Sequence, residues 1–295
     1  MSVILVTNDD GVYSSGIRAA HRSVRDLGNV TVAAPSMQKS GVGRSVSVFS
    51  PLRMTEIELE SFSAYAVGGT PADSVILAIF VILDKLPDLC VSGFNIGENI
   101  STDTVTTSGT VGAALEAASY GIPTIAASIQ VADQGDKFDD HRHYEHDFSV
   151  GVDIVSRISK RALAHGFPKG VDLLNINIPR DALPDTQVEI TRLSRKIFKT
   201  AVEQRHDPRG RPYYWINGDL VQDDDAGTDV HAFARKHISI TPLSLDSTAG
   251  IDRLTTWEIP ETLIEAVKAL YKLPGGSDRY LTDLHLRQGV QARSV

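Results

Sequence analysis

The sequence predicts an α/β protein. The expected core is a Rossmann-like, doubly wound, mostly parallel sheet between two helical layers, with a C-terminal β-hairpin extension. Three observations predict it. Apolar runs of strand length alternate with amphipathic helical stretches through residues 1–180. The runs are continuously apolar, the mark of strands buried on both faces under crossover helices. After Pro179 the pattern turns to alternation around Asp207-Pro208-Arg209-Gly210, a turn signal between two strands.

The elements follow in order. Val3–Val6 is a buried strand, and Ile17–Leu27 has helical periodicity. Val30–Pro35 is a second strand. Pro71–Leu83 is a helix that Thr70 caps, with Pro71 at its first position and Asp73 three residues after the cap. "LPDLCVSG" is a strand, Val111–Tyr120 a helix, Ile122–Ser128 a strand, Asp147–His165 a helix and Val171–Pro179 a strand. Residues 181–295 form an extension: a long hairpin over Gln187–Gly218, a return strand at His237–Asp246 and a terminal helix near Pro260–Leu273. A two-stranded hairpin is marginal alone in water, so this one is expected to pack on another subunit.

Composition sets limits. The 295 residues, 42% hydrophobic and 22% charged, suit an ordinary globular protein with a real core. The longest apolar stretch is broken by Asp84, Lys85 and Pro87, and the N-terminus turns acidic at once. A membrane span and a secretory leader are therefore not expected, and a cytoplasmic location is. The single Cys90 lies in an apolar run and reads as a small buried hydrophobe. The net charge of -8, with no basic stripe interleaved with aromatics, argues against a nucleic-acid polymer as partner.

Four strand ends carry the chemistry. Asn8-Asp9-Asp10-Gly11 follows the first strand. Two carboxylates at a strand end suit a hard divalent cation, and an Asx turn with solvated aspartates fits the same residues. Ser40-Gly41-Val42-Gly43 follows the second strand, where a hydroxyl and mobile N–H groups can wrap an anion or form a plain loop. Asn95 and Asn99 follow "LCVSG" as short amides able to meet a metal or a phosphate oxygen. Ser108-Gly109-Thr110 opens a helix, where free N–H groups and the dipole favour phosphate, and where ordinary capping fits too. A parallel doubly wound sheet binds ligands along this edge, so one metal-plus-phosphate site accounts for all four together.

Two other polar stretches read differently. His141, His143 and His146 match no zinc spacing and read as a solvated loop. The acidic run Val221–Asp229 lacks the EF-hand pattern and reads as a loop and helix cap.

"ILVTNDDGVYSSGI", "APSMQKSGVGRS", "GGTPADS", "VSGFNIGENISTDTVTTSGTVGAALEA" and "GTDVHAFARKHISITPL" together resemble the survival protein E (SurE) family of metal-dependent 5′-nucleotidases, with a closer likeness to archaeal members. The resemblance implies Asp9, Asp10, Ser40 and Asn95 as ligands of one Mg²⁺ or Mn²⁺ per subunit. Asp9, Asp10 and Asn95 are also the catalytic candidates. It places phosphate contacts at Asn99, Ser108, Gly109 and Thr110, and Asn8 and Gly41 are grouped with them. It implies a nucleoside monophosphate substrate, with 3′-nucleotides or polyphosphate as further substrates, and a dimer or tetramer built by exchange of the C-terminal hairpin and helix. Metal-activated water is the expected nucleophile. An aspartyl-phosphate on Asp9 is the other route, but such enzymes carry Asp-x-Asp rather than adjacent aspartates. The alternative to an enzyme is a metal-dependent nucleotide-binding regulator without turnover.

Overall fold

The structure, a computed structural model, describes residues 1–131, 146–220 and 224–248. Met1–Leu245 form one compact unit. Residues from Asp246 onward belong to a second, and the expected helix at 260–273 lies outside the described residues.

In chain order the elements are β1 (Val3–Thr7), α1 (Ser15–Val24), β2 (Asn29–Pro35), β3 (Met54–Leu59), β4 (Phe62–Val67), α2 (Pro71–Leu77), β5 (Leu89–Ile96), α3 (Ser101–Thr107), α4 (Gly109–Ser119), β6 (Thr124–Ile129), α5 (Ser149–His165), β7 (Leu173–Ile178), β8 (Val188–Ile190), β9 (Phe198–His206), β10 (Pro212–Leu220), α6 (Asp229–Ala234) and β11 (Ile238–Leu243). Among the described residues the main sheet has nine strands, in the order β3-β4-β2-β1-β5-β6-β7-β11-β8. The run β4-β2-β1-β5-β6-β7 is parallel throughout, as continuously apolar strands require. Strand order reverses at β1 and β5, so their carboxyl ends flank the crevice where such a sheet binds ligands.

Side chains alternate across each strand, and the core divides accordingly. Ile4 and Val6 of β1 pack with Ile17, Ala20 and Val24 of α1 and Val155 of α5 on one face. Leu5 faces the other way, with Val75 of α2, Ala113 and Ala117 of α4, and Cys90. Each fully buried aliphatic side chain contributes about 1.5–3 kcal/mol. Cys90 is fully buried, and its apolar surroundings push the thiol well above its usual range. Among the described residues no helix is long and apolar enough to cross a membrane.

Three expected elements differ in the structure, while β3, β4 and α3 fall where no element was expected, and α6 where only its cap was. The helix at α2 ends at Leu77 and gives way to a π-helical turn, Ala78–Ile82. Val188–Ile190 does not belong to the hairpin: it pairs with β11 at the edge of the main sheet, because the return strand offers it a ladder. The hairpin proper is β9–β10, paired from Phe198–Leu220 to His206–Pro212 around the expected turn. Its register puts Val202 opposite Ile216. His141 and His143 lie outside the described residues, while the His146 ring sits edge-on to Phe148.

Candidate active site

The chain leaves β1 and turns at once. Asn8 staples that turn: its Oδ1 accepts from Gly11 N–H at 3.2 Å, and its Nδ2 donates to Gly11 O at 3.2 Å and to Ser14 Oγ at 2.7 Å. Both ends of its amide are therefore engaged within the turn. Gly11 has φ 99°, a left-handed conformation that glycine adopts without steric cost. Val12 N–H then donates to Pro35 O at 2.8 Å, tying the turn to the end of β2.

This turn buries two adjacent carboxylates. Asp9 is 3% exposed and Asp10 7%. Asp9 Oδ1 accepts from the Thr110 hydroxyl, and the Thr110 amide reaches the same carboxylate. Asp10 Oδ2 accepts from Ile96 N–H at 2.9 Å, and the Gln38 side chain reaches it as well. Burial drives both acids well above the usual carboxylate range, and for Asp9 the neighbouring Asp10 charge adds to it. The hydrogen bonds oppose this without cancelling it. Among the described residues neither carboxylate has a Lys, Arg or His partner. Two buried anions with no cation are costly unless something positive joins them.

The other strand ends close on this pair. Lys39 N–H donates to Asp9 O at 2.7 Å, which seats the Ser40 loop beside β1. Gln38 Nε2 donates to Ser40 Oγ at 3.1 Å, so one amide side chain bridges Ser40 and Asp10. Ser40 and Gly41 remain exposed. The far end of the loop is pinned by Arg44 Nε to the buried Glu116 at 2.7 Å, with the Tyr120 hydroxyl donating to the same carboxylate at 3.0 Å. Asn95 sits at the end of β5 beyond a register shift, next to the Ile96 amide that holds Asp10. Its Nδ2 donates to Gly97 O at 2.6 Å, which leaves its carbonyl oxygen as the end available to a hard cation.

The first turn of α4 completes the wall. Gly109 lies so close to Asp9 that a Cβ there would stand 2.6 Å from Asp9 Cβ and 2.8 Å from Oδ2. Ser108 caps the helix, its Oγ accepting from Val111 N–H at 3.1 Å. Thus Thr110 meets Asp9 and the Ser108 hydroxyl meets its own helix, while Gly109 presents only backbone.

Asn99 is buried in an amide network. Its N–H donates to Asn177 Oδ1 at 2.7 Å, its Nδ2 to Ser128 Oγ at 2.9 Å, and its carbonyl accepts from Asn175 at 2.7 Å and Asn177 at 3.2 Å. The sequence reading missed Asn175 and Asn177, although two asparagines two residues apart in "LLNINI" signal a polar face on an otherwise apolar strand. It also missed Gln38, which carries no signal in a polar loop.

The donor set fits a hard divalent cation: two carboxylates, a hydroxyl and an amide oxygen. Among the described residues no group of three or more His, Cys, Asp or Glu gathers anywhere, so this donor set rests on two carboxylates completed by neutral oxygens. One consequence is testable without substrate. In metal-free protein the fold holds protons on Asp9 and Asp10 that the unfolded chain has released, so the pair lowers stability as pH rises from about 4 toward neutrality. Asp10→Asn removes one charge and is expected to match wild type near pH 4 in EDTA, then to exceed its Tm by at least about 2–4 °C near pH 7.5. Thermal unfolding against pH measures this, and a wild type that is the more stable at pH 7.5 would contradict it.

The family described as "Survival protein SurE" matches residues 4–200. The chain is 65% identical over 251 residues to a protein of Methanosarcina mazei named 5′-nucleotidase SurE, covering 84% of this chain and 94% of that one. A protein of the same name from Archaeoglobus fulgidus is 48% identical over 249 residues, covering 84% of this chain and 94% of that one. The crystal structure of the SurE protein from Aquifex aeolicus aligns with TM-score 0.70 and 34% identity, over 91% of this chain and 99% of that one.

Proposed function

The chain belongs to the SurE family, and from that premise we propose that it is a metal-dependent 5′-nucleotidase, hydrolysing a nucleoside monophosphate to nucleoside and inorganic phosphate. One observation supports this reading most: two adjacent buried carboxylates, with no Lys, Arg or His partner among the described residues, lie against the first turn of α4, at the point where strand order reverses.

Asp9, Asp10, Ser40 and Asn95 would hold a single Mg²⁺ or Mn²⁺. When bound, such an ion neutralises charge on a phosphoryl oxygen and makes a nearby water a stronger nucleophile. The chain's own groups supply the rest. Thr110 fixes the rotamer of Asp9, and Ile96 N–H with Gln38 fixes that of Asp10. The N-terminal turn of α4 favours the phosphate's negative charge, with Gly109 allowing close approach. Asn99 is 4% exposed and its Nδ2 already donates to Ser128 Oγ, so the second hydrogen of that amide is what it would offer a further phosphoryl oxygen. Water attacks phosphorus, the bond from phosphorus to the nucleoside oxygen breaks, a proton given up by the water is balanced by one taken up by that oxygen, and nucleoside and inorganic phosphate leave.

The division into a catalytic core, 1–180, and an extension, 181–295, belongs to the same reading. Val202, Tyr214, Trp215 and Ile216 expose apolar surface on the β9–β10 hairpin, which supports its packing on a second copy as a dimer or tetramer.

The test is phosphate release from a panel of nucleoside 5′- and 3′-monophosphates and polyphosphate, with Mg²⁺ or Mn²⁺ and with EDTA. Release from at least a 5′-monophosphate, abolished by EDTA and restored by metal, is expected. Absence of metal-dependent release from every member would overturn the proposal.

A further inference from the structure

The acidic run that ends at Asp229 holds a carboxylate that the proposed reaction does not use. Asp229 is fully buried and forms no ion pair among the described residues. Backbone amides take the place of its hydration: Ser101 N–H donates to Oδ2 at 2.7 Å, while Ser194 N–H at 2.8 Å and Val230 N–H at 2.9 Å donate to Oδ1.

The bond from Ser101 bears on the site. Ser101 has φ 70°, in the left-handed region that a non-glycine residue enters only at a free-energy cost. Asp229 accepts the N–H of Ser101 in that conformation. Two residues earlier stands Asn99, whose N–H and carbonyl are gripped from β7 by Asn177 and Asn175. The loop between β5 and α3 is thus held beneath Asn99 by β7 and just past Ile100 by Asp229. Ser194 joins the same node, because its carbonyl accepts from the Thr102 amide at 2.8 Å and the Thr102 hydroxyl at 2.9 Å.

We infer that Asp229 is a positioning residue for the substrate: by holding Ser101 in its left-handed conformation it sets the loop that presents Asn99 to the phosphate, without touching the substrate itself. This rests on the nucleotidase reading above. Ser194 lies in the segment leading into β9, so one carboxylate joins the site loop to the root of the hairpin.

The test is steady-state kinetics of Asp229→Asn on the monophosphate that wild type hydrolyses best, with Mn²⁺ binding followed by calorimetry. An asparagine turns its NH₂ toward one of the facing amides and so loses an acceptor. KM is expected to rise by about tenfold, with kcat changed by less than about threefold. Mn²⁺ affinity should not change, because Asp9, Asp10 and Ser40 lie on other loops and Asn95, within β5, is fixed by the sheet and by its own bond to Gly97 O. Ser101→Gly in the same background removes the cost of the left-handed backbone and should return KM to within about threefold of wild type. If Asp229→Asn does not fold, Ser101→Thr keeps Asp229 but places a β-branched residue at φ 70°, and the same rise in KM is expected. An unchanged KM, equal losses in kcat and Mn²⁺ binding, or no rescue by Ser101→Gly would overturn the inference. Absence of turnover by wild type overturns the nucleotidase reading and this inference with it. An active wild type with an unaltered variant overturns this inference alone.

Discussion

Asp9→Asn is expected to lower phosphate release by at least about tenfold to a hundredfold, because a metal-bearing carboxylate is lost where even outer partners cost that much. The change is nearly isosteric. Asparagine Oδ1 can still accept from the Thr110 hydroxyl, and the repulsion between two buried anions disappears. Stability in EDTA should therefore hold or rise while activity falls. That opposite movement separates a lost ligand from a damaged fold, and kinetics paired with thermal unfolding reads both. Full activity in Asp9→Asn would show that the site has been assigned to the wrong residues, even with the family membership standing.

Gly109→Ala should be nearly as damaging for a different reason. In helical terms alanine is the better residue by up to about 1 kcal/mol. Yet its Cβ would stand 2.6 Å from Asp9 Cβ, 2.8 Å from Asp9 Oδ2 and 2.9 Å from the Lys39 carbonyl. Two of these neighbours belong to a buried carboxylate and one is backbone, so none moves freely. Overpacking costs about 1–3 kcal/mol, partly offset by the helix gain, which leaves the fold intact. The site has no such tolerance, since a displacement of about 1 Å at a reacting centre can cost about a hundredfold in rate. A fall in kcat/KM of about that size, with Tm moved by only about 2–6 °C, is the expected pair of results. Near-wild-type activity would mean that Asp9 and the α4 terminus need not touch.

Why the sequence revealed the centre of this protein better than its margins follows from what each element buries. β1, β2, β5, β6 and β7 are covered on both faces, and their unbroken apolar runs say so. β3 reads Met-Thr-Glu-Ile-Glu-Leu at the sheet edge, half exposed, and lacks that signal. α3, Ser-Thr-Asp-Thr-Val-Thr-Thr, is rich in residues with weak helix propensity. It is held by tertiary bonds, among them those from Ser101 to Asp229 and from Thr102 to Ser194, which join residues far apart in the chain. Val188–Ile190 alternates like the hairpin that follows, and only the ladder offered by β11 separates the two.

The site shows the same division. Asp9, Asp10, Ser40 and Asn95 were legible as residue types at strand ends, because the fold class says where ligands bind. Which way each polar atom points was not legible. Asn8 turns inward to staple Gly11 and Ser14, Ser108 caps its own helix, and Thr110 holds Asp9. Gln38, Asn175 and Asn177 act through contacts that no local pattern encodes.

The proposed reaction requires that Asp9, Asp10, Ser40 and Asn95 hold a cation. A Mn²⁺ titration of metal-free wild type beside Asp9→Asn, by calorimetry, reads this without any substrate. One ion per chain in wild type and no saturable binding in the variant is the predicted result. No binding in wild type, or equal binding in both, would contradict it.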